Sequence, residues 1–126
     1  MSFSNSLYFI ESAQSDHESH GGMPAKYTVR FDAGHPVFKG HFPNRPVVPG
    51  ACLVQIAEEL ASSALGGHVR FMGLTGLKFR QLVTPEQQIV YCLDFDNKSV
   101  KVKISLTEQT CAQFTASYMR LDSDLQ

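Results

Sequence analysis

The chain has 126 residues, 43% of them hydrophobic and 18% charged, with a formal net charge of −1. That length supports one domain with a substantial core, residues 1–126, and not two. The near-neutral balance argues against a nucleic-acid partner, which calls for a strongly basic face, and no stretch approaches the roughly 20 apolar residues of a membrane span. Cys52, Cys92 and Cys111 are odd in number, sit beside apolar neighbours and lack metal-type spacing. They read as reduced core thiols of a cytoplasmic protein rather than as a disulfide framework. The opening Met-Ser-Phe-Ser-Asn-Ser has neither a basic run nor a long apolar one, so no signal peptide is expected.

Taken in order, residues 7–10 (Leu-Tyr-Phe-Ile) form a short apolar run that suits a first strand. Residues 12–22 are polar and end in Gly-Gly, as a loop or strand end would. His17 and His20 lie there at a spacing some metal sites use, but no carboxylate or thiol cluster accompanies them, so no metal is expected. Tyr27, Val29 and Phe31 alternate with Thr28, Arg30 and Asp32, the pattern of a strand with one apolar face, and Gly34 ends it.

The next stretch, residues 35–50, carries Pro36, Pro43, Pro46 and Pro49. Each proline fixes φ and biases the residue before it toward extended backbone. A chain so stiffened holds something in place, and His41 is the candidate. Pro49-Gly50 then opens a helix, where unpaired N–H groups and the positive dipole end favour an anion. An imidazole beside such a site reads as an active site; the alternative is a structural histidine that holds the loop.

The helix is expected from about residue 51 to 65, closed by Gly66-Gly67 where positive φ is needed. Its first turns are almost wholly apolar, so it should be buried. One polar stripe breaks this, at Gln55, Glu59 and Ser63, with Glu58 and Ser62 beside it. A solvated edge explains Glu58, Ser62 and Ser63, but suits Gln55 badly because Gln55 lies in the apolar half.

Everything after the helix looks like β-structure. Residues 69–77 are apolar, with Gly73 and Gly76 as bulges or close approaches, and residues 78–86 continue to a turn at Pro85. Residues 89–95, 100–106 and 111–118 alternate, with turns expected at 96–98 and 108–110. One apolar helix and about six antiparallel strands make an α+β chain, and the sheet can bury that helix only by curling around it. No internal repeat or linker is evident.

That layout is similar to the hot-dog fold, and the run Gly40-His-Phe-Pro-Asn-Arg-Pro-Val-Val-Pro-Gly50 resembles the signature of 3-hydroxyacyl-(acyl carrier protein) dehydratases of the FabZ/FabA type. The resemblance is strongest over residues 35–60. It implies that His41 is the catalytic histidine and that the Gly50 amide polarises the thioester carbonyl, with Phe42, Pro49 and Ala51 around the substrate. It implies dimers with two active sites at the interface, and neither cofactor nor metal. The chemistry needs these parts: removing the α proton puts negative charge on the thioester oxygen, which fixed N–H donors stabilise. A histidine takes that proton and can return it to the departing hydroxyl.

The chain departs from this pattern at one point. Fourteen residues after His41, where the family places a helix carboxylate contributed by the partner subunit, stands Gln55. An amide neither gives nor takes a proton, and losing a general acid costs about 10²–10⁴ in rate. One turn later, where the family often has glutamine, stands Glu59. Helical Cβ bonds tilt toward the N-terminus, so Glu59 leans back toward Gln55 and is expected to compensate in part, unless it is an interface or surface charge.

The resemblance therefore implies dehydration of a 3-hydroxyacyl thioester, on acyl carrier protein or CoA. The run Pro-Gly-Ala-Cys-Leu-Val-Gln is closer to the dehydratase-like proteins of aryl-polyene and flexirubin-type pathways than to the housekeeping enzymes. Two other readings stay open: a non-catalytic hot dog that pairs with an active paralogue, and a thioesterase. The chain is expected to be a homodimer or to pair with such a paralogue. Carrier proteins are acidic, so Lys39, Arg45, Lys78 and Arg80 are the expected docking cations.

Overall fold

Alternation of apolar and polar side chains is what makes the strands here. The computed structural model describes residues 7–15, 25–38, 46–107 and 109–121. Its elements are β1 (Tyr8–Ser15), β2 (Ala25–Phe31), a 3-10 turn (Pro36–Phe38), α1 (Gly50–Leu65), β3 (Val69–Phe79), β4 (Ile89–Phe95), β5 (Ser99–Leu106) and β6 (Gln109–Arg120). β2 buries Ala25, Tyr27, Val29 and Phe31, and β4 buries Ile89, Tyr91, Leu93 and Phe95. β5 buries Val100, Val102, Ile104 and Leu106 and sends Lys101 and Lys103 outward.

The strands form a 6-stranded sheet in the order β1-β2-β4-β5-β6-β3, antiparallel throughout. β1 and β3 are therefore its two edges. α1 packs its Cys52, Leu53, Ile56, Ala57, Leu60 and Ala61 into the same core as the strand side chains. Ile56 and Leu60 are wholly inaccessible, so truncating either to alanine would cost about 2–5 kcal/mol. This is the helix-on-sheet arrangement expected of a hot dog.

Both helix ends follow from local chemistry. Pro49 is extended (φ −59, ψ 144), and its carbonyl accepts from the N–H groups of Cys52 (2.9 Å) and Leu53 (3.2 Å). At the far end Gly66 takes φ 73, which a side chain would resist, and the Gly66 and Gly67 N–H groups close on the Ser63 and Ser62 carbonyls. Arg120 Nη2 also donates to Leu65 O at 3.0 Å, a cation at the negative helix end.

β3 is unusual for an apolar strand. After buried Val69 it is exposed almost throughout, with Met72, Leu74, Leu77 and Phe79 all accessible. Its pairing with β6 slips between Phe71 and Gly73 and again between Thr75 and Lys78. Gly76, in the second slip, has φ 64. These bulges sit where the glycines suggested, and they bend an edge that would otherwise lie flat.

Several boundaries differ from expectation; β3, for one, ends at Phe79 rather than carrying on toward Pro85. The helix starts one residue early, at Gly50. Residues 12–14, left open between loop and strand end, are strand, because they pair with Thr28, Tyr27 and Lys26 of β2. Gln109 and Thr110 are strand rather than turn, paired with Leu106 and Ser105. In both strand cases backbone pairing extends past the last apolar side chain, and polar strand ends leave no periodic signal. His17 and His20 lie outside the described residues. No helix among the described residues is long and apolar enough to cross a membrane.

Candidate active site at the start and open face of the helix

The helix start is held by packing around the proline-rich segment. Val48 donates its N–H to Val83 O at 2.7 Å, and both side chains are buried. This ties the segment before α1 to the chain that leaves β3. Half-buried Pro49 and exposed Ala51 flank Gly50, and the Gly50 and Ala51 N–H groups find no partner among the described residues. These are the free donors of a helix N-terminus, where negative charge is stabilised. The lack of a side chain at Gly50 also lets Phe79 pack closely. A Cβ there would come within 2.8 Å of Phe79 Cζ and 3.2–3.3 Å of two further ring atoms, so the Phe79 ring lies directly over the helix start.

Most of the polar stripe of α1 turns out to be a set of ties to both sheet edges, whereas Ser63 is exposed, as on a solvated edge. Glu58 Oε2 accepts the Phe71 N–H of β3 at 2.8 Å, which covers a donor of that edge strand beside its first bulge. Ser62 Oγ accepts from Val69 N at 2.9 Å and lies within reach of the Glu58 and Val69 carbonyls. Gln55 Nε2 donates to Glu59 Oε2 at 3.2 Å. The Tyr8 hydroxyl of β1 donates to Glu59 Oε1 at 2.9 Å. Glu59 thus receives hydrogen bonds on both oxygens, as an ionised carboxylate does.

Tyr8 was not legible as a site residue. It lies in an apolar run and reads as a strand residue, and only the fold brings it to a helix residue 51 positions later. Its ring is buried, with 2% exposure. Burial, and then the hydrogen bond to Glu59, push its phenol well above the ordinary tyrosine value of 10.0, so it stays a neutral donor. Burial likewise raises the Cys52 thiol at the helix start, which argues against a thiolate nucleophile there.

Gln55 and Glu58 line two adjoining clefts. One, of about 310 Å³, runs against β3 along Val54, Phe71, Met72 and Leu74. The other, of about 590 Å³, lies on the β1 side and includes Tyr8, Glu59, His68 and Arg70. With Nε2 engaged, Oε1 is the atom of the Gln55 amide left to accept from a hydroxyl in these clefts. Lys78 and Arg80 are exposed on either side of Phe79, and so sit next to the helix start. Lys39, His41, Phe42 and Arg45 lie outside the described residues. No group of three or more His, Cys, Asp or Glu side chains suited to a metal ion occurs among the described residues.

Comparison with known proteins fits this geometry. The curated relatives include 3-hydroxyacyl-[acyl-carrier-protein] dehydratases FabZ. That of Burkholderia cenocepacia is 33% identical over 89 residues, 63% of this chain and 56% of the relative. That of Roseiflexus sp. is 39% identical over 70 residues, 50% of this chain and 49% of the relative. The chain spans about half the length of these relatives. Among solved structures, an uncharacterized protein from Erwinia carotovora subsp. atroseptica superposes with a TM-score of 0.81 at 17% identity, covering 91% of this chain and 98% of that one. A chain of the dehydratase heterocomplex ApeI:P from Xenorhabdus doucetiae superposes with a TM-score of 0.75 at 19% identity, covering 88% and 96%. These superpositions establish the hot-dog fold. The ApeI-like model, described as ApeI dehydratase, matches residues 14–117, and the chain belongs to that family.

Proposed function

We propose that the chain dehydrates 3-hydroxyacyl thioesters carried on acyl carrier protein or CoA, giving the trans-2-enoyl thioester. The observation that carries this is the helix start. Gly50 and Ala51 offer N–H donors that have no partner among the described residues, a helix dipole points the same way, and the segment that ends there carries His41 and the Gly40–Gly50 signature. The thioester carbonyl binds at these donors, which stabilise the enolate-like charge as His41 removes the α proton. The C3–O bond then breaks, and the same proton goes from His41 to the departing hydroxyl, releasing water. Gln55 accepts a hydrogen bond from that hydroxyl through Oε1 and holds it in line, and Glu59 orients Gln55. Phe42, Pro49 and Ala51 lie around the thioester, and Lys39, Arg45, Lys78 and Arg80 meet the acidic carrier.

Two copies complete the site. The exposed apolar run of β3 is a sheet edge, unpaired among the described strands, beside the cleft that Gln55 lines, and it suits pairing with a second copy or with a paralogue. The ApeI:P complex of Xenorhabdus doucetiae is itself a dehydratase heterocomplex. An aryl-polyene type of substrate is the reading that the ApeI-like match supports.

One observation favours a second reading. Gln55 carries no acid, and Glu59 accepts on both oxygens, so the helix offers no ready proton donor to the leaving group. A binding partner that keeps the cleft and has lost turnover would look the same. Purified protein incubated with a 3-hydroxyacyl carrier thioester separates the two. The proposal expects enoyl product from the wild type and its loss with His41→Ala. No enoyl product from the wild type, alone or with its paralogue, overturns the enzyme reading, and free acid in place of enoyl product makes it a thioesterase.

A further inference from the structure

The β1 side of the helix holds a residue, Tyr8, that the reaction just described does not use. Tyr8 is the first residue of β1, where its backbone pairs with Phe31. The strand start is pinned by Asp32 N donating to Leu7 O at 2.8 Å, and Leu7 is wholly buried. The Tyr8 ring is in the core, yet its hydroxyl emerges at the helix to donate to Glu59 Oε1 at 2.9 Å. A tyrosine with a buried body and a bonded tip is a rigid lever with only two side-chain torsions. Glu59 and Gln55 are long side chains with three torsions each, and left alone on a helix face they would sample several rotamers.

We propose that Tyr8 is a positioning residue for the dehydration site: its hydroxyl fixes the Glu59 carboxylate, and Glu59 Oε2 in turn fixes the Gln55 amide with its carbonyl oxygen turned to the substrate hydroxyl. The inference rests on the reading that Gln55 and Glu59 belong to that site. The two hydrogen bonds fall on different oxygens of one carboxylate, so together they hold the carboxylate plane as well as its place. The amide is oriented as a consequence, because only its NH₂ end can meet Glu59. The phenol is kept neutral by burial and by Glu59 itself, so the donor is present at every pH at which the enzyme is expected to work. The order of effect runs from core to cleft: a strand side chain locks a helix side chain, which locks the group that touches substrate.

The test is a double-mutant cycle in kcat and KM with Tyr8→Phe, Glu59→Gln and the pair, on the full-length protein with a 3-hydroxyacyl carrier thioester. Phenylalanine keeps the buried ring, so folding is checked by thermal melting and should change little. Tyr8→Phe is expected to lower kcat about five- to tenfold with KM within twofold. In the Glu59→Gln background the same change should lower kcat by less than twofold, because residue 59 then has one accepting oxygen and cannot hold Tyr8 and Gln55 on separate oxygens. Equal losses in both backgrounds, or no loss in the wild-type background, overturn the positioning role of Tyr8 while leaving Glu59 in the site. If Glu59→Gln itself leaves kcat and KM unchanged, the underlying reading of Gln55 and Glu59 fails, and the Tyr8 inference fails with it.

Discussion

Replacing Gln55 by glutamate puts a carboxylate where the described site has an amide, and its consequences can be worked from one distance. Gln55 Nε2 lies 3.2 Å from Glu59 Oε2. Two negative charges about 4 Å apart repel by about 4 kcal/mol at an effective dielectric near 20. Both side chains are half-buried rather than enclosed, so solvent screening leaves roughly 1–2 kcal/mol. Repulsion of that size makes the introduced carboxyl about tenfold more protonated than a free glutamate at the same pH. A free glutamate is about one part in 500 protonated at pH 7, so about one part in 50 would carry the proton. A general acid contributes about 10²–10⁴ in rate when protonated; weighted by that fraction, Gln55→Glu should raise kcat on the order of tenfold at pH 7, and by more at pH 6. The assay is the ultraviolet absorbance of the enoyl thioester, followed at both pH values. The fold bears the opposite effect. The native state holds this proton more tightly than the unfolded state, so the stability deficit is small below the ordinary glutamate range. It grows as pH rises through that range, to roughly 1–2 kcal/mol. A variant that stays folded and shows unchanged or lower kcat at both pH values would refute this account of Gln55 and assign the amide a role that a carboxyl cannot fill.

Other outcomes follow from the same geometry. Burial raises the phenols of Tyr8 and Tyr91 above the tyrosine value of 10.0, helped at Tyr8 by Glu59. The unfolded chain therefore ionises first, stability is complete below pH 10, and it should fall above it by about 1.4 kcal/mol per pH unit for each such phenol; denaturant midpoints at pH 9 and pH 11 measure this, and Tyr91→Phe should flatten the decline. Gly50→Ala places a methyl 2.8 Å from Phe79 Cζ and should cut turnover at least tenfold, with little change in melting temperature because alanine is a good helix former; adding Phe79→Ala should recover part of the loss. Lys78→Glu with Arg80→Glu should raise KM for the carrier-bound substrate about tenfold at low salt and leave KM for a pantetheine thioester unchanged. Met72→Lys with Leu77→Lys, on the exposed β3 edge, should shift the sedimenting species toward monomer, and an unchanged mass would place the interface elsewhere.

Much of the fold was legible because it is written in short-range periodicity. The αL closure at Gly66 and the bulges at Gly73 and Gly76 came from residues whose backbone needs are local. The strands from 89 to 106 came from period-2 alternation. Where side chains carried no pattern, expectation failed at the polar start of β6 and stayed open at the polar end of β1. The stripe on α1 was misjudged for a related reason. Glu58 and Ser62 look like solvent-facing residues on a helical wheel, but β3 runs close enough for both to bond its backbone.

The candidate site divides along the same line. Residue order alone put free donors at Gly50 and a glutamine at 55 with a glutamate one turn behind, since helix geometry fixes what lies four residues apart. It could not show that Phe79 roofs Gly50, that Lys78 and Arg80 flank that contact, or that Tyr8 reaches Glu59. Those contacts span 29 and 51 positions, and they exist because the sheet order sets β1 and β3 on the two flanks of one buried helix. Local pattern chooses helix or strand within a few residues, whereas which edges meet the helix is settled by how the whole sheet closes over a common core.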